Sequence, residues 1–188
     1  MRTPWIGTAW ALAMLATAAP ARACVESPPL VPGDIRYADV VVVGRIANYA
    51  IVPDAEGRRR LRHLLHIPAD SPRAREMTVL GDYARFTILV DEVLAGRAGP
   101  TLIATWDNST FPEPETMAPG PYLIALRDPR SRMPPLRGPS ATILPNLEPG
   151  SLTLLQAPCS APFLFEAGSE QAAAVRRILE GRPRAPAG

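Results

Sequence analysis

The sequence predicts a mainly β fold, a five-stranded Greek-key barrel closed by a C-terminal α-helix. Three observations point there: β-branched and aromatic segments recur with turn residues between them, their connections differ widely in length, and one late segment has helical period. A β-sandwich with a terminal helix would share this pattern. With 188 residues, 47% hydrophobic and 20% charged, the chain suits one domain with a sizeable core, while 23 Pro and 13 Gly assign many residues to loops.

The first strand is expected over Asp39 to Val52, where Val40, Val41, Val42, Val43, Ile46 and Val52 favour extended backbone and Gly44 permits a bulge or sharp coil. Tyr83 to Val93 alternates, with Phe86, Ile88 and Val90 on one face and Arg85, Thr87 and Asp91 on the other, as a half-buried strand does. Ala95-Gly96 and Gly99-Pro100 mark the turn that follows. Thr101 to Trp106 places Leu102, Ala104 and Trp106 on one side, Gly120-Pro121 introduces Tyr122 to Leu126, and Ser151 to Gln156 supplies a fifth strand. Ser169 caps a helix through about Glu180, with Ala172, Val175, Ile178 and Leu179 on one face and Gly181 as its stop. Pro53 to Gly81 and Asp128 to Gly150, rich in Pro and Arg, are expected as surface excursions, and 182–188 as a frayed tail.

Residues 1–23 read as a secretory signal: Arg2 is the positive region, Trp5 to Ala18 the apolar stretch, and Ala21-Arg22-Ala23 the small-x-small cleavage site. The apolar stretch is shorter than the ~20 residues of a spanning helix, and no later segment is long enough, so no transmembrane helix is expected. Cleavage leaves 165 residues beginning at Cys24 in a secreted or periplasmic, oxidising setting, with zero formal charge. All basic residues are Arg; the balanced charge gives no long-range field favouring nucleic acid or an anionic membrane. One intramolecular disulfide is possible, Cys24 to Cys159, and closing so long a loop removes roughly 4–5 kcal/mol of unfolded-state entropy in the chain-entropy model. The alternative is lipidation of Cys24, which would anchor the protein to a membrane, although Ala21 stands where lipoproteins prefer Leu.

Cys24 at the cleavage junction, Ala38-Asp39-Val40-Val41-Val42-Val43-Gly44-Arg45-Ile46, Phe86 to Gly96, Gly120-Pro121-Tyr122-Leu123-Ile124, and Cys159-Ser160 before a helix follow one another in an order that resembles the netrin-like domain shared with the tissue inhibitors of metalloproteinases. The likeness is to its short bacterial exported members and covers most of residues 24–181. It implies an oligonucleotide/oligosaccharide-type barrel whose N-terminal segment is tied by a disulfide to the region before the last helix. It also implies a protein partner, in the most specific case a metalloprotease, met through Cys24, Val25 and Glu26. In those inhibitors the amine and carbonyl of the first residue chelate the protease's catalytic zinc, and Cys24 matches that position while Val25 would face the specificity pocket. The sequence departs from the family in continuing Cys24-Val25-Glu26 where the inhibitors have Cys-x-Cys, and in lacking their further cysteines.

Other chemistry is sparser. His63 and His66 are the only histidines, spaced to share a helical face, with Asp54, Glu56, Asp70 and Glu76 near in sequence as metal-ligand candidates. The intervening Arg58-Arg59-Arg60-Leu61-Arg62 run repels a cation and reads as an exposed basic loop, suited to bidentate contact with a phosphate, a sulfated sugar or an acidic partner. Asp91 and Glu92 are adjacent in a strand, so they face opposite ways and suit arginine pairing rather than paired acid/base work. Trp106 and Tyr122 are expected in the core, and Asn108-Ser109-Thr110 as a loop with a glycosylation pattern. No hydrolase elbow, phosphate loop, dinucleotide fingerprint or zinc-protease helix occurs; the expectation is a non-enzymatic protein with no cofactor and no resident metal. A passive cell-envelope scaffold is the alternative class.

Overall fold

A computed structural model of the chain describes residues 29–64, 66–72, 82–107, 114–135, 148, 150–157 and 160–181. A 3-10 helix, Pro32–Tyr37, leads into β1 (Val40–Val52). After it come α1 (Ala55–Leu64), β2 (Tyr83–Ala95), β3 (Thr101–Asp107), β4 (Tyr122–Arg127), β5 (Leu152–Leu154), β6 (Leu164–Glu166) and α2 (Glu170–Glu180). The strands are hydrogen-bonded in the order β1-β2-β3-β5-β4, and β4 returns to β1, so five strands close a barrel while β6 adds to β4. The pairings are antiparallel except β3 with β5, where Ala104 stands opposite Leu152. This is the oligonucleotide/oligosaccharide-type barrel with a C-terminal helix.

The two halves of the barrel wall read differently in the sequence because their outer faces meet different surroundings. Inside the barrel lie Val40, Val42, Ile46, Phe86, Ile88, Trp106, Ile124, Leu126 and Leu154. A second apolar cluster covers the outside of β1 and β4: Val41, Leu123 and Ala125 pack there with Ile35, Leu155, Phe163, Ala172 and Val175. Buried on both faces, Val40 to Val43 and Leu123 to Leu126 are continuous apolar runs, whereas β2 has one solvated face and alternates. α2 makes the outer cover: Ser169 Oγ accepts from the Ala172 amide at 3.2 Å, Ala172 and Val175 are buried, and Ile178 and Leu179 pack at the margin.

The long Pro53 to Gly81 connection is more ordered than expected, because α1 occupies its start. Asp54 caps that helix, accepting from the Glu56 amide at 3.0 Å, and Gly57 is buried against the body. The described part of the Asp128 to Gly150 connection is irregular and is gathered by Arg127. Arg127 is 7% exposed, and its Nη1 donates to the carbonyls of Asp128, Pro129 and Ser131 at 2.8–3.1 Å. The fifth strand is shorter than the expected Ser151 to Gln156, and β6 and the 3-10 helix are additions. Among the described residues no helix is long and apolar enough to cross a membrane.

Candidate functional site

The solvated side of the barrel is the outer face of the β1-β2-β3 meander. Register places Arg45, Leu89 and Thr101 in one cross-strand row and Ala47, Thr87 and Ile103 in the next. Leu89 and Ile103 are therefore diagonal neighbours, and they are 42% and 57% exposed, large apolar side chains left open on a strand face. Arg45 does not cover them, because it turns to Asp91 at 2.7 Å. Asp91 thus points away from Glu92, which reaches the other side and takes two donors from Arg176 of α2 at 3.2 and 2.8 Å. The hydrogen bond from Arg176 holds the Glu92 carboxyl below its usual range. Both acidic residues are arginine-paired on opposite faces, as strand alternation requires.

At the end of this face where β2 begins, the β1–β2 and β4–β5 connections are each latched by a carboxylate. Asp82 receives the Arg58 Nε of α1 at 2.7 Å and the Asp54 amide at 3.1 Å. Glu148 receives the Tyr83 hydroxyl at 2.5 Å and the Arg85 Nε at 3.1 Å, with a second guanidinium bond from Arg85. Asp54 Oδ2 is buried without a hydrogen-bond partner, beside the positive end of α1 that the other oxygen caps.

Burial, reinforced by the hydrogen bond to Glu148, pushes the Tyr83 hydroxyl up to about 12. Burial alone would raise Glu148 as well, but the hydrogen bonds from Arg85 and Tyr83 outweigh it and hold the carboxyl below its ordinary value. The latch therefore contributes stability between two limits. The lowered Glu148 contribution is present above the ordinary carboxylate range, roughly pH 4.3, and is lost as pH falls through the folded-state value; the raised Tyr83 contribution is present below roughly pH 10 and is lost as pH climbs to about 12. In the wild-type minus Tyr83→Phe absorbance difference, the phenolate band is expected to appear near pH 12. Below pH ~4 the urea midpoint of Glu148→Gln is expected to converge on that of the wild type. An ordinary phenol titrating near pH 10, or a midpoint gap that stays constant with acidity, would show that the latch does not form.

On the opposite flank the N-terminal segment joins the outer cluster. Leu30 packs against the group that contains Leu155 and Phe163. Those two residues pair across a tight excursion: the Phe163 amide donates to the Leu155 carbonyl at 2.9 Å, Gln156 bridges Pro162, and Gln156 Nε2 donates to the Ser160 carbonyl at 2.8 Å. Cys24, Val25, Glu26 and Cys159 lie outside the described residues.

The remaining sequence candidates separate. His63 is on α1, but His66 lies past its end at φ 53, with its amide donating to the His63 carbonyl at 3.2 Å, so the two share no helical face. Among the described residues no three His, Cys, Asp or Glu side chains are grouped to hold a metal ion. Trp106 is 7% exposed in the barrel with its Nε1 donating to Gln156 at 3.1 Å, and Tyr122 packs at the core's edge. Glu76 and Asn108-Ser109-Thr110 lie outside the described residues. Leu89 and Ile103 were legible as outward positions from alternation, but nothing in the sequence marks them against their neighbours as a surface.

Fold and surface together give a closed five-stranded β-barrel whose β2–β3 outer face leaves Leu89 and Ile103 open to solvent. Neither family models, nor curated proteins, nor solved structures yield a match to the chain.

Proposed function

We propose that this chain is an exported, non-enzymatic protein-binding module of the netrin-like kind, and most specifically a metalloprotease inhibitor acting through a mature N-terminal Cys24. The observation that carries the reading is the seat of the N-terminal flank. Leu30, six residues after Cys24, packs on the same cluster as Leu155 and Phe163, each four residues from Cys159. Six residues reach at most about 20 Å, so a Cys24–Cys159 bridge is within the chain's span and would fix the new N-terminus on the barrel's flank. A tethered α-amine with its carbonyl is a preorganised chelate for the open coordination position of a protease's zinc. With Val25-Glu26 in place of a second anchoring cysteine, Cys24 carries the positioning alone. The exposed Leu89 and Ile103 favour a macromolecular partner over a small polar substrate.

Two measurements test this. The exported protein is expected to begin at an unmodified Cys24 and to gain the mass of two hydrogens on reduction; a diacylglycerol adduct would instead make it a lipid-anchored envelope protein and end the chelation mechanism. Adding one residue before Cys24 converts the chelating amine to an amide, so inhibition of a susceptible metalloprotease is expected to vanish. Undiminished inhibition by the extended form would refute zinc chelation.

A further inference from the structure

The guanidinium groups of α1 divide sharply between committed and free. Arg58 is fixed by Asp82, whereas Arg59, Arg60 and Arg62 make no ion pair among the described residues; Arg59, Arg60 and His63 are exposed and Arg62 is half-buried. Four other arginines are paired with carboxylates, Arg45 with Asp91, Arg85 with Glu148, Arg130 with Asp128 and Arg176 with Glu92, and no other described helix carries three arginines without such a pair. Three of these pairs, together with Arg58–Asp82, use two guanidinium nitrogens on one carboxylate, the fork geometry that makes Arg–carboxylate contacts specific.

On a helix of 3.6 residues per turn, positions 59, 60 and 63 fall within an arc of about 100°. Gly57 is buried and Arg58 is tied to Asp82, so the helix is docked by that side and its 59-60-63 side is turned to solvent, with half-buried Arg62 at the edge. We propose that this face of α1 is a docking surface for an acidic protein segment, whose carboxylates would take Arg59 and Arg60, with Arg62 at its edge. The inference goes beyond the reading at Cys24 and does not depend on it.

The chemistry favours a carboxylate-bearing segment over the other anionic partners. A polyanion such as a nucleic acid or a sulfated glycan is held through many contacts and the counterions they release, and a chain of formal charge +2 with three cations on one turn offers few. A membrane-surface helix needs apolar side chains among its cations, and the exposed positions 59, 60 and 63 are Arg, Arg and His. Discrete carboxylates one helical turn apart match the spacing of Arg59 with Arg62 and His63.

The test is fluorescence anisotropy of a labelled octaglutamate peptide titrated with the mature protein at low salt. Saturable binding is expected, weakened about tenfold in Arg59→Gln/Arg60→Gln/Arg62→Gln and suppressed by added sodium chloride. A second triple variant, Arg97→Gln/Arg132→Gln/Arg177→Gln, removes the same charge from separate places and is expected to bind as the wild type does. Thermal midpoints of both variants check that the fold is kept, and the single variant Arg59→Gln, expected to give a partial loss, replaces the first triple if that one does not fold. Absence of saturable binding, equal weakening in both triple variants, or tighter arginine-dependent binding to dextran sulfate or phosphatidylglycerol vesicles than to octaglutamate would overturn the proposal.

Discussion

Phe163→Ala is expected to lower the unfolding free energy by about 3–5 kcal/mol, the range for removing a large aromatic side chain from a closed core. Phe163 is 1% exposed, although it lies outside the barrel. It stands where Val41, Leu123, Ala125, Ile35, Leu155, Ala172 and Val175 converge, and its ring meets Phe165 edge-on at 5.8 Å. The surrounding backbone has little freedom to close the void. The Phe163 amide and carbonyl are both engaged, with Leu155 and with the Ala125 amide at 3.0 Å, so the strand cannot slide inward to refill it. Urea unfolding monitored by tryptophan fluorescence gives the number. A loss below about 1 kcal/mol would mean that the outer cluster is a loose cover rather than a second core. Leu30 is seated on the same cluster, so under the proposed reading the variant is also expected to inhibit less.

Why the barrel was legible in the sequence follows from how each strand is covered. β2 has one face in solvent, so its alternation read true: Phe86 and Ile88 are 1% and 0% exposed, while Leu89, on the side of Thr87 and Asp91, is 42% exposed; β3 alternates at Ile103 but departs at Thr105, which is 0% exposed. β1 and β4 carry no alternation, and were still readable because continuous Val, Ile and Leu between turn residues admit little else at that length. α2 announced itself through Ser169, its apolar stripe and Gly181. α1 did not. Its Arg-rich run lacks an apolar stripe long enough to stand out, and the contacts that hold it, Arg58 with Asp82 and the Asp54 cap, join residues whose relation no local period expresses. β6, three residues long, gives no periodic signal at all.

The surface chemistry was legible only to first order. Alternation requires Asp91 and Glu92 to part company, but it does not name Arg45, 46 residues away, or Arg176, 84 residues away, as their partners. Glu148 meets Tyr83 across 65 residues, and that contact exists because β5 lies beside β3 in parallel, bringing the β4–β5 connection over the start of β2. Long-range pairing of this sort is a property of barrel closure, not of any segment.

A single methyl group added at Gly44 is expected to cost about 2–3 kcal/mol, as overpacking does where neighbours cannot yield. The Cβ of Gly44→Ala would stand 2.5 Å from the Leu89 carbonyl oxygen and 2.9 Å from Ile88 Cγ2. Neither can retreat cheaply: Ile88 is 0% exposed in the barrel, and Leu89 pairs with both Arg45 and Thr101. β1 is itself confined at this point, since Gly44 is paired with Val90 of β2 on one edge and Tyr122 of β4 on the other, with a register shift between Val43 and Gly44. The bulge there steepens the coil that lets β1 serve both halves of the closed wall. Gly33→Ala supplies the contrast, because nothing lies within 4 Å of its added carbon, and it should change stability by no more than about 0.5 kcal/mol. If urea midpoints of the two variants coincide, the close approach at Gly44 is not what closes the barrel; if Gly44→Ala alone is weakened, the displaced Leu89 carbonyl also predicts a shift of the exposed Leu89 side chain.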